Sequence, residues 1–313
     1  METEFSVFHL KKIVITVDVE PDFSFYLRNS YFGIELALPK LLNLMEEYNI
    51  IGDFFVTSDV LEKYSSLIRR LQHCGYNIGS HGLAHDFICI KKKNLLPFGD
   101  FLPNTFRPFQ QIYFKRHFEE QLHVLKRATA IFREVLGFTP KSFRAPNFSA
   151  NYETIRSLEQ LGYNIDSSVL PGRIMKQHQL FTLYDFRSAP RHPYHPSYDN
   201  IAKVGNSKLL EFPLTENPFL KGAPLGIGFL NMSGPEATLN AIEHIQEGDY
   251  LTFLIHPYEL VELEKYYPCF KRHFQYCYDN FESLEYLIRK LKNKEYTFCD
   301  SRKIITISKI ERA

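Results

Sequence analysis

His81 and His85 stand four residues apart in the segment Ser80-His81-Gly82-Leu83-Ala84-His85. On a helical turn that spacing brings both imidazoles to one side, where they can share a metal ion. The chain has 12 His, so the spacing alone equally suits a surface or buried histidine pair. Val17-Asp18-Val19-Glu20 puts two carboxylates directly after an apolar run, a costly position unless they are paired or hydrated. They can supply an oxygen ligand and a separate general base, or cap the element that follows. Arg144 lies among apolar residues in Phe143-Arg144-Ala145-Pro146-Asn147 and calls for a carboxylate partner. That partner is either Asp18 or an acid in an ordinary structural ion pair. His256 follows Phe253-Leu254-Ile255, where it suits either a general acid or a satisfied core histidine.

These residues recur at one kind of place in an alternating pattern. Ile13-Val14-Ile15-Thr16-Val17 reads as a buried parallel strand. Residues 36–48 have apolar side chains at helical spacing, and 51–56 read as a second strand. Asp59 can cap a helix running to about Cys74, with Gly75 ending it. Residues 77–80 form a short strand leading into His81. Residues 86–112 contain three prolines and read as an inserted irregular loop. A long amphipathic helix is predicted over 114–136, closed by Gly137, then a strand over 141–145. A helix over 152–161 has Asn151 as its cap, and 163–167 is a strand. Residues 171–208 are irregular, 209–214 a strand, 235–246 a helix and 250–255 a strand, with 281–292 the last clear helix. Strands alternating with helices predict a parallel sheet covered by helices, whose site lies at the carboxyl ends of the strands. Asp18, His81, Arg144, Asp166 and His256 all fall at or just after such an end.

The composition is that of an ordinary globular protein, with 313 residues, 44% hydrophobic and 23% charged. No linker or fixed-period repeat divides it. A single domain over 1–313 is expected, with a core over 13–260 and a C-terminal helical extension over 261–313. A formal net charge of +1 gives no general pull toward nucleic acid or an anionic membrane, and Lys91-Lys92-Lys93 suits a solvated loop. The five cysteines (Cys74, Cys89, Cys269, Cys277 and Cys299) are odd in number and show no CxxC spacing, so neither a disulfide framework nor a zinc ribbon is expected. Scattered thiols fit a reducing compartment. Residues 1–12 lack the apolar core of a signal peptide, and no stretch is long enough to span a membrane. The expectation is a soluble cytoplasmic protein. The 28 Phe and 19 Tyr, with no Trp, suit a core or the walls of a sugar-binding cleft.

Taken in order, the motifs resemble the polysaccharide deacetylase family, also called carbohydrate esterase family four or the NodB-homology domain. They are Thr16-Val17-Asp18-Val19-Glu20, Phe54-Phe55-Val56, the segment from Gly75 to His85, Phe143-Arg144-Ala145-Pro146-Asn147, Gly162-Tyr163-Asn164-Ile165-Asp166 and Leu254-Ile255-His256-Pro257. The likeness spans 13 to about 260 and is nearest to a branch with Asp-x-Glu after the first strand, often found with exopolysaccharide biosynthesis. Asp166-Ser167-Ser168, Leu210-Glu211-Phe212-Pro213 and His256-Pro257-Tyr258 also look like that branch.

The resemblance implies a distorted (β/α) barrel that binds one divalent ion, zinc or similar, and removes an N-acetyl group from an amino sugar in a polysaccharide or glycan precursor. His81 and His85 match the family's metal ligands, Asp18 its general base, Arg144 the residue fixing that base and His256 its general acid, with Asp166 orienting His256. Two positions depart from the family. Its metal-binding second aspartate is here Val19, so Glu20 is the expected substitute and Asp22 a weaker one; the shifted spacing requires the loop after Asp18 to bend. The usual tyrosine after Arg-x-Pro is Asn147, which still offers a backbone N–H to an oxyanion. Residues 86–112 and 171–208 can wall the cleft. There Arg187, Arg191, His192 and His195 suit either a charged sugar or an ordinary packed crossover. Two other functions remain open: hydrolysis of another C–N bond, ureido or cyclic amide, and non-catalytic sugar binding.

Overall fold

A computed structural model describes residues 12–22, 29–94, 111–177, 181–245, 248, 250–268 and 275–310. The β-branched run forms β1 (Lys12–Val19), buried throughout after Lys12. A wide helical turn (Gly33–Ala37) leads into α1 (Leu38–Glu47), and β2 (Gly52–Val56) follows. Next come α2 (Ser58–Lys63), α3 (Ser65–His73) and β3 (Asn77–Ser80). β4 (Ile90–Asn94) and β5 (Gln111–Lys115) pair as an antiparallel hairpin before α4 (Phe118–Leu136). β6 (Ser142–Phe143), α5 (Tyr152–Gln160) and β7 (Ile165–Asp166) continue the alternation. A second hairpin, β8 (Ile174–Gln177) with β9 (Phe181–Asp185), precedes β10 (Leu210–Glu211). The chain ends through α6 (Ile227–His244), β11 (Tyr250–Ile255), α7 (Leu263–Tyr266), α8 (Phe281–Asn293), β12 (Thr297–Phe298) and α9 (Ser301–Ile310).

The main sheet has the order β10-β7-β6-β3-β2-β1-β11, with β12 also on β1, and its pairings are parallel. The chain thus steps outward from β1 to β10 and returns to β1 on its other side, giving a half-barrel covered by helices. Between the sheet's ends, Thr215 and Thr252 exchange backbone-to-hydroxyl bonds of 2.8 Å, and Leu254 N–H donates to Leu225 at 3.0 Å.

Strand alternation sorts β1 into two faces. Ile13, Ile15, Val17 and Val19 join the core formed with Leu38, Leu41, Leu42 and Met45 of α1. Val14 packs instead with Tyr250 of the neighbouring β11 and with Ile165 and Phe212 from across the barrel. Asp18 and Glu20 share the parity of Val14, so both carboxylates belong to the barrel side. Val19 belongs to the helix side and has no access to the barrel interior.

Several expected elements change at their ends. Asp59 is not the cap of its helix: Thr57 holds that position, and the first N–H groups donate to Gly82 and Leu83 carbonyls. That helix also breaks at Tyr64 into α2 and α3, because Tyr64 leaves the helical region (φ −118°, ψ 35°). The expected loop over 86–112 is paired at both ends, and α4 starts at Phe118 because His117 and Glu120 form a reciprocal cap there. α6 begins before Pro235, with Gly234 (φ 81°, ψ 171°) interrupting it. α9 extends helix beyond the segment expected to be last, and β12 ties this region to β1. The expectations for residues 1–11 and 95–110, for Cys269 and for residues 269–274 and 311–313 of the C-terminal extension lie outside the described residues. Among the described residues, no helix is long and apolar enough to cross a membrane.

Candidate metal and acid–base site

Glu20, His81 and His85 converge at the carboxyl ends of β1 and β3, and one ligand atom from each lies within 4.8 Å of the others. Glu20 Oε2 is 3.1 Å from His81 Nε2 and 2.5 Å from His85 Nε2. His81 Nδ1 lies 2.9 Å from the Arg144 carbonyl, which can only accept, so Nδ1 carries a proton and Nε2 is the nitrogen turned toward Glu20. An imidazole lone pair facing a carboxylate oxygen requires a cation or a proton between them. The two nitrogens and one oxygen fit a divalent ion such as zinc. Burial alone would raise the Glu20 carboxyl, but His85 and His81 more than offset this and hold it well below the usual carboxylate range.

The backbone explains this convergence. β1 stays paired through Val19, opposite Val56, so Asp18 and Glu20 emerge on one face without the expected bend. The short turn after β3 is pinned by the bonds from α2 to Gly82 and Leu83, and His85 adopts the left-handed region (φ 52°), uncommon for a residue with a Cβ. Asp22 is not part of the cluster. It accepts from Ser30 Oγ at 2.5 Å, Phe32 N–H at 2.6 Å and Gly33 N–H at 2.8 Å, and so anchors the loop entering α1.

Asp18 sits between this cluster and two bases. Arg144 Nη1 donates to its Oδ1 at 2.7 Å, while its Oδ2 is 3.9 Å from His81 Nε2 and 3.8 Å from His256 Nε2. Arg144 is fully buried. Its Nε and Nη2 donate to the carbonyl and hydroxyl of Ser167 at 3.0 and 2.9 Å, and its guanidinium carbon lies 4.2 Å from the centre of the Phe55 ring.

The expected contact between Asp166 and His256 is not made. Glu259 takes that place, with Oε2 2.9 Å from His256 Nδ1 and 3.2 Å from the His256 backbone N–H. The tight turn from Pro257 brings Glu259 back over His256, whereas Asp166 is held by Ser168, whose hydroxyl donates to it at 2.5 Å. Burial alone would depress His256, but Glu259 and, less strongly, Glu20 and Asp18 reverse this and raise it to about 9. Sequence reasoning missed Glu259, although a His-Pro-x-Glu run has capping-box spacing. It also assigned no role to Ser167.

Asn147 follows Arg144 in a left-handed turn with Phe148 (φ 54° and 58°), and its carbonyl accepts from Tyr184 Oη at 2.8 Å. Arg191 is brought to Glu216 in an ion pair, and Arg187 to Asp185 at 2.6 Å. His195 Nδ1 lies 3.0 Å from the Leu209 carbonyl. Among the described residues, no ion pair joins Arg187 or Arg191 to the Glu20 cluster.

A parallel half-barrel bearing such a cluster on its carboxyl-end rim defines an α/β barrel whose site is built from strand ends. The chain belongs to the polysaccharide deacetylase family, whose model matches residues 8–165. No curated protein matches it in a sequence search. Among solved structures, a Mycobacterium smegmatis protein assigned by name to the polysaccharide deacetylases aligns at 19% identity with a TM-score of 0.59, covering 95% of this chain and 89% of the other. The allantoinase PuuE aligns at 12% identity with a TM-score of 0.53, covering 94% and 88%. Peptidoglycan deacetylase PdaC from Bacillus subtilis aligns at 15% identity with a TM-score of 0.48, covering 97% and 94%. The first two likenesses are likenesses of fold.

Proposed function

We propose that this chain is a metal-dependent hydrolase that removes the N-acetyl group from an N-acetylated amino sugar in a polysaccharide or glycan precursor. One observation carries the reading: Asp18 stands within 4 Å of both an imidazole of the Glu20–His81–His85 cluster and the separate imidazole of His256. A divalent ion held by those three residues supplies positive charge that polarises the amide carbonyl and acidifies the attacking water. Zinc suits the donor set, and Glu20 as its carboxylate ligand agrees with the Asp-x-Glu branch.

Asp18 takes the proton as water attacks the acetyl carbon, and Arg144 keeps its carboxylate aimed. The Asn147 backbone N–H donates to the oxyanion that forms. His256, aligned by Glu259, gives its proton to the leaving amine, without which the C–N bond does not break. Asp166 acts at one remove, through the serines that follow it. Arg191, half exposed and paired with Glu216, is the substrate contact of this reading. The substrate partner is a glycan. Four cysteines (Cys74, Cys89, Cys277 and Cys299) are unpaired, which supports a reducing, cytoplasmic setting.

The test is acetate release from N-acetylated amino-sugar oligosaccharides, with zinc, after chelation and after zinc is restored. The expected result is release that chelation stops and zinc restores. A zinc-loaded, folded protein that binds these sugars without releasing acetate overturns the reading. So does one that cleaves only ureido or cyclic amide substrates.

A further inference from the structure

Away from the Glu20 cluster, Asp166 ends β7 directly opposite Glu211, which ends β10, and both are fully buried. Asp166 Oδ1 accepts from Ser168 Oγ at 2.5 Å, and Glu211 Oε1 accepts from Val169 N–H at 2.9 Å. Their other oxygens, Asp166 Oδ2 and Glu211 Oε2, are buried without a protein donor, while the two carboxyls lie within hydrogen-bonding reach of each other. Two ionised carboxylates in such a place repel across a dry gap. One proton between them replaces the repulsion with a hydrogen bond and gives both orphaned oxygens a partner.

We propose that Asp166 and Glu211 share one proton and that this acid–carboxylate pair is a positioning element for Arg144. The connection is short. Ser168 Oγ, bound to Asp166, accepts from Ala145 N–H at 2.8 Å, so the pair holds the strand end that carries Arg144. Glu211 fixes Val169, and between these anchors Ser167 offers its carbonyl and hydroxyl to the guanidinium. Arg144 reaches Asp18 with its remaining terminal nitrogen.

The surrounding groups agree. Burial raises both carboxyls, and Glu211 further because it also faces the Asp166 charge. The Arg144 guanidinium is the cation acting on both, and it opposes the rise. Tyr194, whose hydroxyl donates to the Ile201 carbonyl at 2.6 Å, and Tyr250 also feel the pair's charge, but burial raises both far above neutrality and they bring no charge. A second full negative charge therefore has no counterion there.

The positioning role rests on the function proposed above, whereas the shared proton does not. The first measurement is accordingly independent of turnover: infrared difference spectra at neutral pH between wild type and Glu211→Gln. The expected result is a protonated-carboxyl C=O band in wild type that shifts in D2O and is missing from the variant. No such band overturns the shared proton. The second is kinetics with a substrate that wild type deacetylates. Glu211→Ala should lower kcat by about 10- to 100-fold with little change in KM. Glu211→Gln, which keeps a neutral donor toward Asp166, should restore most of that loss. If Glu211→Ala does not fold, Ser168→Ala interrupts the same connection at the hydroxyl and should show the same kcat loss. Unchanged kcat in the folded variant, or Glu211→Gln as impaired as Glu211→Ala, overturns the positioning role. A wild type inactive on all such substrates sinks the functional reading and leaves the infrared result standing.

Discussion

Asp18 and Arg144 form an ion pair of 2.7 Å in which the guanidinium is wholly enclosed. A charge so placed is tolerated only because its neighbours answer it, here Asp18 and the two oxygens of Ser167. Removing one partner leaves the other buried and unmatched. Arg144→Ala should therefore destabilise the protein by about 3–5 kcal/mol. Urea denaturation of wild type and variant measures this. A midpoint unchanged by the substitution would mean that Asp18 finds water or another cation once Arg144 is gone.

The Glu20 cluster predicts a stability response to metal that requires no substrate. An ion that binds only the folded chain stabilises it by about 2.7 kcal/mol at a hundredfold excess over Kd. Wild type should thus melt higher with zinc and return to its starting Tm with chelator. His81→Ala and His85→Ala should each lose most of this response and retain less zinc by elemental analysis. Full zinc content in His81→Ala would remove His81 from the ligand set.

His256 sets the alkaline side of the pH profile. Its pKa is raised to about 9, with Glu259 the leading cause of the rise against burial. A general acid works only while protonated, so kcat should fall on the alkaline side as His256 loses its proton. An ion at Glu20 offsets one contributing charge and brings this limb lower. The sign for stability is the same: the His256 contribution is complete below the unfolded value near 6.5 and is lost as pH rises through 9. Glu259→Gln should move the kinetic limb to lower pH. A limb at the same pH in variant and wild type would exclude Glu259 as the orienting charge.

Much of this site was legible because strand ends are visible in a sequence. The apolar runs before Asp18 and His256, and the short strand before His81, pointed to the residues that would reach one rim, and Arg144 among apolar neighbours announced a buried partner. What stayed hidden depended on angles. The Asp18–Glu20 spacing seemed to require a bend, but β1 remains a strand through Val19, so residues two apart share a face. Glu259 reaches His256 only because the chain turns tightly at Pro257, and the sequence does not show which of two acids, Asp166 or Glu259, lies nearer. The partnership of Asp166 with Glu211 follows from which strands are neighbours, and the residues that mark 163–167 and 209–214 as strands do not show that they pair. The break at Tyr64 and the cap from Gly82 and Leu83 are tertiary effects that override local helix preference.

Asp53 predicts a pH dependence opposite to that of a paired carboxylate. It is buried in β2, where its Oδ1 accepts from Asn77 Nδ2 at 2.7 Å and its Oδ2 from Ser301 N–H at 3.2 Å, linking α9 to the sheet. Burial raises its carboxyl from 3.8 to about 6, and Asp300 adds to the rise. Between those values the folded protein keeps a proton that the unfolded chain has released. The bound-proton difference then makes this group's contribution fall as pH rises from 3.8 to 6. The full effect is on the order of 3 kcal/mol, at about 1.4 kcal/mol per pH unit. Asp53→Asn keeps an oxygen for Asn77, gives up the nearer acceptor of Ser301 N–H at a cost independent of pH, and abolishes the titration. Its stability relative to wild type should rise from about pH 4 to about pH 7, as read from denaturant midpoints across that range. A constant difference would mean that water reaches Asp53 and solvates its charge, so that burial does not govern its ionisation.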